Sequence, residues 1–201
     1  MLHKFLPLPR SLALLASLVL TSAISAASLP LTQWESASGG NDHYYQVFFE
    51  TDFVQWSDAS ADAQACGGYL ATITSEAENI FLTSLTLTAQ GYLESWIGLT
   101  DEADEGIFLW VTGEPLVYEN WAPGEPNDAW PVVGEDYAIL SPPVEIELNV
   151  PGSWNDLPDN PARVRSWIVE WDLQPLTSVP EPATLWTLAL AAGLFAWFRR
   201  R

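Results

Sequence analysis

Residues 96–106 read WIGLTDEADEG, and this stretch decides how the rest of the chain is interpreted. It begins as an apolar, β-rich strand and ends in a turn in which four of five residues are acidic. A second β-rich segment follows at 108–111. The turn offers an Asp and a Gly where an EF-hand loop needs them, at its first and sixth positions. Ala103 and Thr112 occupy the third and twelfth positions, however, so an EF-hand is excluded.

Downstream, acidic residues again stand beside asparagines, in and after a long segment rich in Pro and Gly. The sequence reads Glu-Pro-Asn-Asp at 125–128, Glu-Asp at 135–136 and Trp-Asn-Asp at 154–156. Carboxylate and amide oxygens are the ligands that Ca²⁺ prefers, six to eight at a time. The alternative is a solvated acidic face. Because like charges crowded into loops repel each other, the pattern favours a bound cation.

The charge distribution supports that interpretation. The chain has 201 residues and a formal net charge of −19. Residues 28–179 contain 25 acidic and 2 basic side chains, which gives 25 − 2, or a net −23. The only basic side chains in that range are Arg163 and Arg165. Binding to nucleic acid is excluded as a function, because phosphate contacts need Lys and Arg. A divalent cation would neutralise part of the acidic charge.

The remaining patterns indicate the fold class. Residues 44–49 (YYQVFF) predict a strand, and residues 55–65 predict a helix that ends at Gly67-Gly68. Ser75 and Glu78 form a capping-box pattern at the start of a second helix, on which Ile80, Phe81, Ser84 and Leu85 share a face. Further strands are predicted at 136–140 and 167–171. With both helices early and most strands late, the class is α+β.

Together these segments resemble a C-type lectin domain. The motifs that carry the resemblance are residues 96–106, 110–121, Glu-Pro-Asn, Glu-Asp and Trp-Asn-Asp, with Gly-Gly-Tyr-Leu-Ala at 67–71 and the last strand in support. The resemblance covers about residues 42–172. It implies an α+β double-loop domain with two helices, small antiparallel sheets and a long loop that binds calcium and ligand.

The resemblance also implies particular ligands. The principal calcium, and the carbohydrate on it, would be bound by Glu125, Asn127, Glu135, Asn155 and Asp156. An accessory calcium would be bound by Asp101, Glu105, Asp128 and Asp136. In the family, Glu-Pro-Asn goes with mannose- or glucose-type sugars and the proline is usually cis. The expected partner is therefore a mannose-type glycan or exopolysaccharide.

The sequence also departs from the family. The usual disulfides are absent: Cys66 is the only cysteine, and Ala63, Tyr137 and Val169 stand where family cysteines are expected. We expect Cys66 to be a buried apolar residue, not a reactive thiol. The stretch between Asp128 and Glu135 is unusually long and apolar. Its Trp130 could stack on a sugar or simply pack the loop.

The two ends of the chain are predicted to be targeting signals. Residues 1–27 have the basic start, apolar run and small-residue end of a cleavable secretory signal peptide. Residues 179–201 resemble the PEP-CTERM sorting signal of Gram-negative bacteria: a Pro-Glu-Pro motif, a hydrophobic transmembrane helix at 183–198 and a basic tail. This resemblance implies transient membrane insertion and processing by an exosortase-type enzyme. The product would lie at the cell surface or in the extracellular matrix, with residues 28–178 as its lectin-like domain. A plain C-terminal membrane anchor is the alternative.

Two other functions compete with a calcium-dependent lectin. One is a matrix or adhesion module of the same fold that binds protein and uses calcium only structurally. The other is a glycosidase using Glu125 and Glu135, which is disfavoured because both carboxylates are better explained as calcium ligands. The chain also has no Gly-x-Ser-x-Gly motif, and His43 is the only histidine after the predicted signal peptide. We therefore expect no catalytic residues.

Overall fold

The computed structural model describes residues 26–88, 91–130, 133–141 and 150–175. Within these ranges there are two α-helices, α1 (Trp56–Ala65) and α2 (Glu76–Leu85), and a 3₁₀ helix at Ser36–Ser38. The early strands are β1 (Ala27–Ser28), β2 (Thr32–Gln33), β3 (Tyr44–Phe49), β4 (Tyr69–Leu70), β5 (Leu87–Thr88) and β6 (Gly91–Tyr92). The later strands are β7 (Ser95–Thr100), β8 (Leu109–Trp110), β9 (Tyr137–Leu140), β10 (Trp154–Leu157) and β11 (Ser166–Trp171).

One mixed sheet organises these elements in the order β1-β3-β11-β7-β9-β10. Strands β3 and β11 pair antiparallel over their whole length, and β11 pairs parallel with the start of β7. Strands β9 and β10 then extend the sheet antiparallel. The predicted α+β class is confirmed. Strand β10 was not predicted, and it matters because Asn155 and Asp156 lie on it.

The helix α2 begins as predicted but turns a different face to the core. The Ser75 hydroxyl accepts a hydrogen bond from the Glu78 amide at 3.2 Å, which is half of a capping box. Ile80 is exposed, although the periodicity placed it with Phe81 and Leu85. The buried residues of the helix are Glu78, Asn79, Leu82 and Thr83. Three of the four are polar, so a search for apolar periodicity could not find this face.

Tryptophans and a close backbone approach consolidate the core. Trp96, Trp154 and Trp167 are among the largest fully buried side chains. Gly98, in the middle of β7, lies so close to its neighbours that a Cβ there would stand 2.4 Å from the Leu70 carbonyl oxygen. Only glycine therefore fits at this position of the WIGL segment.

Packed side chains occupy the positions where family cysteines were expected. Ala63 and Val169 are both fully buried and belong to the same apolar cluster. Tyr137 belongs to it as well and stacks on Trp56, with ring centroids 4.6 Å apart. Cys66 is a free cysteine that packs against this cluster, and burial raises the pKa of its thiol. It is only partly buried, so the expectation of a buried residue is met in part.

A buried polar cluster joins β3, α2 and β11. The Tyr45 hydroxyl lies 2.7 Å from Glu78 Oε1 and 3.0 Å from Glu170 Oε1. The imidazole Nδ1 of His43 contacts the same Glu170 oxygen at 2.6 Å. Glu78 and Glu170 are 1% and 2% exposed. Two buried carboxylates therefore share one tyrosine, and the imidazole of His43, when protonated, is the positive charge paired with Glu170.

Candidate calcium and carbohydrate site

The Glu-Pro-Asn segment lies directly against β10. The Asn127 amide N–H donates to both oxygens of Asp156, at 3.2 Å and 3.0 Å, and the Asp128 amide N–H donates to Asp156 Oδ2 at 3.0 Å. The Asn127 side chain donates to the carboxylate of Glu125. The peptide between Glu125 and Pro126 is cis, as the resemblance implied. Three of the five predicted principal ligands thus meet at one point.

Two hydrogen bonds, to neighbouring residues, bring Glu135 to the same loop. The Ala129 amide donates to Glu135 Oε2 at 2.5 Å, and the Glu135 amide donates to Asp128 Oδ1 at 3.1 Å. Glu135 is thereby 6% exposed. Between these contacts, the Trp130 side chain is 60% exposed to solvent.

Asn155 is the predicted ligand with the weakest connection. It lies on β10 next to Asp156, opposite Ile139, and is partly exposed. In the part of the chain that the structure describes, no side-chain hydrogen bond joins it to the other four residues.

The predicted accessory ligands surround the turn after β7. Asp101 is 3% exposed; its Oδ2 accepts from the Gly106 amide at 2.8 Å, and its amide donates to the Asp136 carbonyl at 3.2 Å. Its Oδ1 is buried and has no hydrogen-bond partner among the residues that the structure describes. A buried carboxylate oxygen without a donor is costly, and a cation is one way to satisfy it.

The carboxylates of the predicted principal and accessory calcium ligands disfavour each other's ionisation. Burial, a hydrogen bond with Asp156 and the charges of Asp156 and Glu135 raise the pKa of Glu125 to about 7. Burial and the neighbouring carboxylates also raise the pKa values of Glu135, Asp101 and Asp136. The pKa of Glu105 is raised above all by the charge of Asp101. Crowding of this kind is relieved when a divalent cation binds.

One basic side chain, missed by the sequence analysis, acts on the site. The positive charge of Arg163 opposes the rise in the pKa values of Glu125 and Glu135. Its guanidinium is held by Glu94, with Nε 2.9 Å from Oε2 and Nη2 2.5 Å from Oε1. The signal available was its rarity: Arg163 is one of two basic residues between residues 28 and 179.

The predicted ligands carry oxygen atoms, which suit a hard cation. Their side chains, however, are not arranged around a common centre. Every predicted ligand offers oxygen, and one buried ligand oxygen, Asp101 Oδ1, lacks a partner among the described residues, which fits calcium. Among the described residues, however, no three His, Cys, Asp or Glu side chains are grouped closely enough to hold a metal ion. Backbone amides occupy Asp156 and Glu135 instead.

Comparison with known proteins identifies the family. The sequence profile described as Lectin C-type domain matches residues 53–161, more than half of the chain. The chain belongs to the C-type lectin domain family. A profile described as PEP-CTERM protein-sorting motif matches residues 178–201, so the chain also carries this sorting motif.

Individual C-type lectin relatives agree. Residues of this chain are 40% identical over 108 positions to pulmonary surfactant-associated protein D of Sus scrofa, covering 54% of this chain and 25% of that protein. The chain thus spans about a quarter of that relative's length. The carbohydrate-recognition domain of cow CD23, solved in the presence of a GlcNAc2Man3 oligosaccharide, is 31% identical with a TM-score of 0.50, covering 63% of this chain and 87% of that one.

A further neighbour shows the breadth of the fold. A calcium-independent type II antifreeze protein superposes with a TM-score of 0.52 at 22% identity, covering 72% of this chain and 95% of that one. At this identity the likeness concerns the fold alone. The C-type lectin fold therefore does not by itself imply calcium or sugar binding.

The predicted signal peptide lies almost wholly outside the described residues, and the predicted transmembrane helix at 183–198 lies entirely outside them. No helix within the described ranges is both long enough and apolar enough to span a bilayer.

Proposed function

We propose that this domain is a calcium-dependent carbohydrate-binding module for mannose- or glucose-type sugars. The observation that carries the proposal is the set of hydrogen bonds that tie Asn127 to Glu125 and Asp156, and Glu135 to the same loop. A buried oxygen of Asp101 that has no hydrogen-bond partner among the described residues supports it. The cow CD23 relative, solved in the presence of a GlcNAc2Man3 oligosaccharide, supports the sugar class.

The proposal gives each of these residues a role. Glu125, Asn127, Glu135, Asn155 and Asp156 would hold the principal calcium, and Asp101, Glu105, Asp128 and Asp136 an accessory one. When bound, calcium supplies a positive centre on which two neighbouring sugar hydroxyls can replace water. The carboxylates of Glu125 and Glu135 accept hydrogen bonds from those hydroxyls, while the amides of Asn127 and Asn155 donate to them. The order of Glu and Asn around Pro126 then favours one arrangement of hydroxyls.

We infer that the mature protein is exported and displayed outside the cell. The sorting motif at 178–201 supports surface delivery. A signal peptide at 1–27, exosortase-type processing of the sorting signal at 179–201, and a location at a Gram-negative cell surface or matrix belong to the same proposal. No enzymatic activity is part of it. A protein-binding adhesion module is the second candidate, supported by a fold that also serves calcium-independent proteins.

Retention on immobilised mannose with calcium and with EDTA tests this function. We expect retention in calcium that EDTA abolishes, and retention that survives EDTA would contradict the proposal. Asn127→Asp should remove retention because it replaces an amide donor with a carboxylate. Asn160→Asp, the same change at an exposed residue that is not a predicted ligand, is the matched control and should leave retention unchanged.

A further inference from the structure

A buried amide on α2 links the helix to the strand that carries half of the site. Asn79 is 4% exposed. Its Oδ1 accepts from the indole Nε1 of Trp154 at 2.8 Å, and its Nδ2 donates to the Gly152 carbonyl at 2.8 Å. Trp154 is fully buried and directly precedes Asn155 and Asp156. One side chain thus fixes both the turn that leads into β10 and the first residue of β10.

Trp154 in turn holds the segment that leads to the Glu-Pro-Asn motif. Its amide donates to the Asn120 carbonyl at 2.7 Å, and its carbonyl accepts from the Ala122 amide at 2.8 Å. The Asn120 side chain donates to the same Gly152 carbonyl as Asn79 does, at 2.8 Å. Both halves of the site, the loop beginning at residue 122 and strand β10, are therefore anchored at Trp154.

The fit around Asn79 is specific. A Cβ on Gly152 would lie 3.0 Å from Asn79 Nδ2, and the Gly152 φ of 76° suits glycine. The position needs an acceptor for the indole and a donor for the carbonyl, and an amide of this length supplies both. An apolar replacement would leave the buried indole N–H without its partner.

We propose that Asn79 is a positioning residue of the binding site. It holds Trp154, and through Trp154 it sets Asp156 against the amides of Asn127 and Asp128. The effect on ligand affinity rests on the proposed function, whereas the effect on the geometry of the site does not.

NMR spectroscopy of the calcium-free domain tests the geometry. In Asn79→Ala, we expect the Trp154 indole proton to exchange about tenfold faster or more, and the amide resonances of Asn127 and Asp128 to move. Leu82→Ala is the control, because Leu82 is fully buried on the same helix but is not among the hydrogen-bonded residues. It should lower stability and leave both signals in place. Equal changes in the two variants, or unmoved Asn127 and Asp128 resonances in Asn79→Ala, would overturn the proposal.

Calcium titration of the same proteins measures the effect of each variant on calcium affinity. Partners that support metal ligands typically contribute 10- to 100-fold in affinity, so Asn79→Ala should weaken calcium binding by about tenfold or more while Leu82→Ala does not. Trp154→Phe breaks the same hydrogen bond from the other side and decides the question if Asn79→Ala does not fold. Wild-type protein that binds no calcium would reject the proposed function and leave the NMR result as the test of Asn79. Equal affinity of Asn79→Ala and wild type would overturn the positioning role.

Discussion

Replacing His43 should weaken the domain more at pH 6 than at pH 9. The imidazole contacts the Glu170 carboxylate at 2.6 Å, and Glu170 is 2% exposed. This contact raises the pKa of His43 above 6.5. A group whose pKa is raised by folding contributes fully below its unfolded value and loses that contribution as the pH rises through its folded value. The charged form of His43 therefore stabilises the fold in acid and neutral solution, not in alkaline solution.

The size of the effect follows from the contact. A hydrogen bond to a charged group is worth about 1.5–3 kcal/mol and a neutral one about 1 kcal/mol. His43→Leu should therefore cost about 2 kcal/mol at pH 6, equivalent to roughly 4–8 °C in Tm, and about half of that at pH 9. His43→Asn keeps a neutral donor near the Nδ1 position. It should cost about 1 kcal/mol at pH 6 and close to nothing at pH 9.

Thermal melts of the three proteins from pH 6 to pH 9, without calcium, provide the assay. His43 is the only histidine in residues 28–179, so no other imidazole contributes. Glu125, whose pKa is raised to about 7, titrates in the same range, but its contribution cancels in the difference between variant and wild type. The pKa of Glu170 is raised by burial and lowered by His43, so His43→Asn, which keeps a hydrogen bond to Glu170, is the reference for that carboxylate. A gap between His43→Leu and wild type that stays constant or widens toward pH 9 would refute the reasoning.

Three further predictions concern the site and the core. Because the pKa of Glu125 is raised to about 7 without a cation, protons compete with calcium, and the midpoint of a calcium titration should rise as the pH falls from 8 to 6; an unchanged midpoint would contradict this. Trp130→Ala should leave Tm unchanged, because the side chain is 60% exposed, and should weaken glycan binding several-fold in calorimetry, because the ring would stack on the sugar. A lower Tm with unchanged binding would show instead that Trp130 packs the loop. Gly98→Ala should cost about 1–3 kcal/mol in urea unfolding, because its Cβ would lie 2.4 Å from the Leu70 carbonyl oxygen; an unchanged urea midpoint would show that the strand shifts freely.

Much of the fold was predictable because its signals are local. The strand at Tyr44–Phe49 has the bounds that its β-rich composition predicts, and α1 begins within one residue of its predicted start. Strand β10 was missed because its residues, WNDL, have weak β propensity. The strand exists through its pairing with β9, which is a non-local effect.

The site, like the fold, was predictable from the sequence only in part. The motif positions predicted which residues would meet at Glu125 and Asp156, since a family pattern encodes three-dimensional neighbours. The role of Asn79 could not be predicted, and the role of Arg163 was indicated only by its rarity, because neither residue belongs to a motif and both depend on contacts across more than 60 residues of sequence. A buried Asn on a helix face is a weak signal by itself, and it gains meaning only when its partners are known.

Binding of the mature domain to an array of glycans, with calcium and with EDTA, tests the central claim most directly. We predict that mannose- or glucose-type glycans are bound in calcium and released in EDTA, and that Asn127→Asp binds none of them. Equal binding in EDTA, or no glycan bound while calcium still raises Tm, would contradict the account and favour a protein-binding module.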